Sequence, residues 1–154
     1  MSSIAQRISD LGLSLPDAPK PVAAYIPAVK TGNLIFISGQ LPFENGQLLA
    51  TGPVGSTISV EEAQKAARQC VLNGLAVLAD AVGGDLDCVK QIVRLGVFVA
   101  SDPGFTDQPK VANGASELLL DIFGNAGRHA RAAVGSIALP LGASVEVEMI
   151  VEVG

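Results

Sequence analysis

Arg131 lies in the apolar run Ala130-Arg131-Ala132-Ala133-Val134 with no acid beside it, and the stretch Ser144 to Val153 sets Glu146, Glu148 and Glu152 among valines. A guanidinium is a rigid fork of donors that grips a carboxylate bidentately, and a carboxylate can polarise a water or receive a proton. Together they suit the orientation of a small carboxylate and its attack by water. Blander readings stay open: Arg131 as an ion pair with a closing-strand glutamate or as a solvated head, and the glutamates as solvated groups on an edge strand. His129 falls two residues before Arg131, on the same face if the strand has begun, and no Ser/His/Asp set can be assembled around it. Tyr25, the single tyrosine, is either core or pocket wall.

Cys70 and Cys88 form no CxxC pair, and one histidine leaves too few soft ligands for zinc or iron, so no metal site is expected. Both cysteines read as small buried hydrophobes. The net charge of −5 repels phosphate backbones, which disfavours nucleic acid as a partner.

The elements that must position these groups can be read from pattern. Ile4, Ile8 and Leu11 suggest a short amphipathic helix within an N-terminal extension, residues 1–20, ahead of a domain over 21–154. Four prolines between residues 14 and 33 impose an extended lead-in and an edge strand around Ala24 to Val29, closed by a Thr31-Gly32-Asn33 turn. LIFISGQL is a strand that ends on Ser38-Gly39-Gln40. Asn45-Gly46 marks a hairpin. Ser59 with Glu62 forms a capping box for a helix over 60–82, which Gly83-Gly84 ends.

VKQIVRLGVFVA has two apolar faces, Val93-Leu95-Val97-Val99 and Ile92-Gly96-Phe98, as expected in mid-sheet. Asp107 and Pro109 open a second helix with Val111, Ala115, Leu118 and Ile122 on one side. ARAAVGSIAL and SVEVEMIVEV are two closing strands joined around Pro140-Leu141-Gly142. In the last strand the valines and Met149 alternate with Glu146, Glu148, Ile150 and Glu152, so one face is core and the other is polar. Two helices over one face of a sheet make an α+β layer whose other face meets water or a second subunit. Hydrophobic residues reach 49% and charged ones only 16%, which favours the subunit. Asp80 and Gly83-Gly84 break the longest apolar candidate, so no membrane span is expected, and the absence of an apolar leader places the chain in the cytoplasm by default.

Tyr25 in a proline-flanked strand, SGQ at 38–40, AARQCVLN in the first long helix, Asn113 in the second, HAR at 129–131 and LPLGASVEVE occur in an order that resembles the Rid family, the reactive intermediate imine/enamine deaminases. Older members were labelled endoribonuclease L-PSP or translation inhibitor. The resemblance covers about residues 20–153. It implies a chorismate-mutase-like fold and a homotrimer with a central barrel and three inter-subunit clefts. There, Arg131 would grip a substrate carboxylate and Glu146 would position the attacking water. Tyr25, Ser38, Gly39, Gln40 and Asn113 match other substrate-binding positions. The implied reaction is hydrolysis of 2-imino or 2-enamino acids to 2-keto acids and ammonia, which calls for no metal and no organic cofactor; a non-catalytic carboxylate-binding or regulatory trimer and an endoribonuclease are the alternatives. The chain departs from the family's pattern in carrying Ala133 where many deaminating members have a cysteine, and His129 where a proline is common. It also has a longer N-terminus and a larger 42–58 loop.

Overall fold

The computed structural model describes residues 2–20 and 24–154. Helix α1 (Ile4–Asp10) is capped by Ser3, whose Oγ accepts from the Gln6 N–H at 3.1 Å, and it sinks Ile8 into the core. Strand β1 (Ala28–Thr31) begins later than the sequence suggests, because Pro27 has no N–H and contributes only its carbonyl, which accepts from Ser38 N. Residues 21–23 of the expected lead-in lie outside the described residues. A Gly32-Asn33 turn leads into β2 (Leu34–Gln40), and β3 (Phe43–Glu44) and β4 (Gln47–Leu48) form a separate small hairpin. Its Asn45 and Gly46 have φ of 51° and 79°, the positive values a two-residue turn of matching twist requires.

The Ser59–Glu62 capping box is formed as its sequence predicts, and it starts α2 (Val60–Ala81). Strand β5 (Val89–Ala100), α3 (Gln108–Phe123), β6 (Ala130–Ser136) and β7 (Val145–Val153) complete the chain. The main sheet has the order β1-β2-β7-β5-β6, antiparallel throughout except for the β5–β6 pair, which α3 connects as a crossover.

Helices α2 and α3 cover one face, where Ile35, Ile37, Leu95, Val97 and Val99 meet the alternate residues of β7 from Val145 to Val153. The opposite face shows Val29, Phe36 and Val134, each between 42% and 50% exposed. The mixed α+β layer expected from the sequence is therefore present.

The closing strands β6 and β7 are separated in the sheet by β5. Two expectations need correction. Strand β7 is not an edge but the middle of the sheet. And β5 does not alternate regularly: a bulge between Ile92 and Arg94 adds Val93 as an extra residue, so Ile92 joins Leu95, Val97 and Val99 on the helix side. A two-residue period cannot register such an insertion.

Candidate functional site

Arg131 is opposite Leu95 in the β5–β6 ladder and so points to the helix side, but at the sheet's edge, where its side chain remains exposed. Helix α3 meets it there. Asn113 and Ser116, three residues apart, share one helix face, and Arg131 Nη1 donates to Asn113 Oδ1 at 2.9 Å and to Ser116 Oγ at 3.1 Å. Both Nη1 hydrogens are thereby committed. Among the described residues nothing bonds to Nε or Nη2, whose parallel N–H groups form the fork that receives a carboxylate. The structural ion pair considered for Arg131 is not formed among the described residues: Glu148 is taken by Arg94 at 3.2 Å.

Ser116 escaped the sequence reading. Its signal was its spacing of three from Asn113, which puts the hydroxyl beside any group that Asn113 touches. His129 stands just ahead of β6, which has not yet begun there, but its Nε2 still lies 2.9 Å from the same Ser116 Oγ.

At the other side of the sheet, Tyr25, Ser38, Gly39 and Gln40 line one cavity of about 470 Å³ together with Pro16, Pro19 and Phe43. Tyr25 is 61% exposed and belongs to that wall, not to the core. Gln40 Nε2 donates to Ser38 O at 3.1 Å, which fixes the strand's end. The wall also includes residues of the N-terminal segment, down to Lys20, of the same chain.

Glu146 projects from β7 on the face away from the helices and packs against Gly39. A Cβ on Gly39 would overlap Glu146 Oε1 and stand 2.9 Å from its Cδ, so only glycine admits the carboxylate here. Burial first, and the charge of Glu148 second, raise the Glu146 carboxyl above its ordinary range. A carboxylate so placed keeps a proton longer than a solvated one, which suits exchange with a water or an amine.

Within the chain the predicted residues therefore form two groups. Arg131 and Asn113 sit at the β6 edge on the helix side; Glu146, with Gly39 behind it, faces the opposite way near β2. The structure does not join them in a single chain. Cys70 is fully buried with its Sγ 3.8 Å from Val145 O, and burial, then the Glu146 charge, push its thiol well up, which makes it a packing residue and not a nucleophile. Cys88 is half-buried against the core. Among the described residues no three His, Cys, Asp or Glu side chains converge as a metal site, and no helix is long and apolar enough to cross a membrane.

Residues 5–153 match the family described as "YjgF/chorismate mutase-like, putative endoribonuclease". Protein TCP17 of Trypanosoma cruzi is 47% identical over 150 residues, covering 97% of this chain and 93% of that protein. A 2-iminobutanoate/2-iminopropanoate deaminase of Dermatophagoides farinae is 29% identical over 140 residues, covering 90% and 93%. Among solved structures, protein Atu1372 of Agrobacterium tumefaciens, of unknown function, superposes with a TM-score of 0.93 at 45% identity over 99% of this chain and 94% of that one.

Proposed function

Because the chain belongs to the YjgF family, to which the Rid deaminases belong, we propose that it hydrolyses reactive 2-imino and 2-enamino acids to 2-keto acids and ammonia. The observation that carries this reading is the exposed Arg131 guanidinium, anchored through Nη1 by two neutral groups while its Nε/Nη2 fork meets no acid among the described residues. A cation held in this way is complementary to a small carboxylate.

The substrate carboxylate docks on that fork, which sets the imine carbon next to it at a fixed place. Glu146 takes a proton from a water as the oxygen bonds to that carbon, and passes it to the imine nitrogen, giving a tetrahedral carbinolamine. The carboxylate then takes the hydroxyl proton and relays it to the nitrogen as the C–N bond breaks, so that the carbonyl forms and ammonia leaves. An enamine enters the same sequence after protonation at carbon. Arg131 keeps its charge throughout.

Since Arg131 and Glu146 lie on opposite faces of one sheet, the reaction requires a second copy to bring the β6 edge of one protomer to the β2 side of another. A homotrimer supplies that arrangement three times, and Val29, Phe36 and Val134 provide apolar surface for the contact. Tyr25, Ser38, Gly39 and Gln40 then form the wall that receives the substrate's side chain.

Ala133 favours a second reading. It lies two residues beyond Arg131 on the same side, packs against the core, and offers no thiol to a water. A trimer that binds carboxylates without turnover would use the same fork. The RNA cleavage suggested by the family's description is opposed by the net charge of −5.

The test generates 2-imino acids in situ with an amino-acid oxidase and follows their decay with wild type and Arg131→Ala. Loss of the acceleration in a variant that stays folded supports the deaminase. No acceleration by wild type, with 2-keto acids still bound in calorimetry, transfers the assignment to the binding trimer.

A further inference from the structure

Behind Arg131 runs a chain of hydrogen bonds whose direction is set by chemistry. His129 Nδ1 lies 2.6 Å from the Gly127 carbonyl oxygen, which can only accept, so Nδ1 carries the proton. In the neutral ring Nε2 is then an acceptor. It takes the hydroxyl hydrogen of Ser116, at 2.9 Å, and leaves lone pairs of Ser116 Oγ facing the Arg131 Nη1 donor. The first link is rigid, because Gly127 is pressed on α3: a Cβ there would overlap Leu119 O and stand 2.7 Å from Leu119 C.

Asn113 alone would hold one Nη1 hydrogen and let the guanidinium swing about that bond. The second anchor fixes its plane. We propose that His129, acting through Ser116, is a positioning residue that fixes the Arg131 guanidinium and thereby the direction of the Nε/Nη2 fork. The inference rests on the reading of Arg131 as a carboxylate clamp. It also gives a use to the histidine that stands where the family's pattern commonly has proline.

Calorimetry with pyruvate and with its uncharged amide, pyruvamide, on the full chain separates the two ideas. Ser116→Ala and His129→Leu are expected to weaken pyruvate binding about tenfold, the worth of one charge-assisted hydrogen bond, without changing pyruvamide binding. His129→Gln, whose amide oxygen can accept at the Nε2 position, is expected to return pyruvate affinity to within about threefold of wild type. A purely structural role would weaken both probes alike and would not single out glutamine for rescue; either result overturns the proposal. If Arg131→Ala abolishes pyruvate binding while His129→Leu retains it in full, the clamp stands and the positioning role falls. If Arg131→Ala binds pyruvate as well as wild type, the clamp itself is wrong and the positioning role falls with it.

Discussion

Replacing Gly39 by alanine isolates the chemistry of Glu146 from the stability of the fold. The new methyl would overlap Glu146 Oε1 and come within 2.9 Å of Cδ and 3.2 Å of Cγ. The atoms in the way belong to the far end of a flexible side chain, so the carboxylate swings aside and the backbone stays. An overlap of that size demands a displacement on the order of 1 Å, enough to cost about 100-fold in a reaction that depends on a positioned group. The fold has little to lose. Gly39 does not have the positive φ that strains alanine. Alanine restricts the unfolded chain by about 0.4–1 kcal/mol, and pushing Glu146 off its rotamer costs about 0.5–1.5 kcal/mol. The two offset each other to within about 1 kcal/mol, a Tm change of no more than about 2–4 °C. The assay pairs imine decay with thermal unfolding followed by circular dichroism. Imine hydrolysis within threefold of wild type would show that the carboxylate's position is not critical and refute the reasoning.

Other consequences follow from the same contacts. The raised Glu146 carboxyl means that the folded state holds a proton that the unfolded state has released, so stability falls as pH rises from the ordinary glutamate range through the folded value. Glu146→Gln is therefore expected to raise Tm at neutral pH and to lose that advantage in acid below the ordinary glutamate range; an equal gain at both ends contradicts the assignment. At the α2–α3 contact, a Cβ on Gly114 would stand 2.9 Å from the Gln64 carbonyl carbon and Cα, which belong to backbone and cannot rotate away. Gly114→Ala is expected to lower Tm by about 5 °C, overpacking by about 1–3 kcal/mol being only partly offset by better helix propensity. Gly74→Ala meets Met149 Cε, the far end of an unbranched side chain, instead and serves as the control, with a smaller change expected. Equal Tm values for the two variants would refute the distinction.

Much of this architecture could be read locally. The alternation of β7, the Ser59–Glu62 box and the Asn45-Gly46 turn are each encoded within a few residues, and all three form. What could not be read depends on distant partners. The bulge at Ile92 to Arg94 is a property of how β5 meets β7. The place of β7 in the middle of the sheet is likewise a matter of pairing, and no periodicity within it distinguishes a central strand with one polar face from an edge. Arg131 and Asn113 were singled out as candidate site residues through the family resemblance, and the structure joins them through a hydrogen bond. Ser116 was not, because its spacing of three from Asn113 becomes informative only once the strand beside the helix is known. Nor could the sequence reveal that Arg131 and Glu146 face opposite ways, since that follows from sheet order and not from the residues themselves.

The order β1-β2-β7-β5-β6 also bears on how the polypeptide reaches its fold during synthesis. Strand β7 is translated after every other strand, yet it is the bridge between β2 and β5, and Val153 N reaches back to Asn33 O. Until it emerges, only the β1-β2 and β5-β6 pairings of this sheet are open to the chain, and each leaves unpaired an inner strand carrying apolar residues such as Ile35, Ile37, Leu95 and Val97. Such edges are templates for pairing with other chains. The assembly step is late, nonlocal and all-or-none in character, with the loop-closure penalty of the whole interval between β2 and β7. A ribosome stalled before Val145 would therefore present an aggregation-prone intermediate, and molecular chaperones that shield extended apolar segments would act on this protein mainly before its final strand is made.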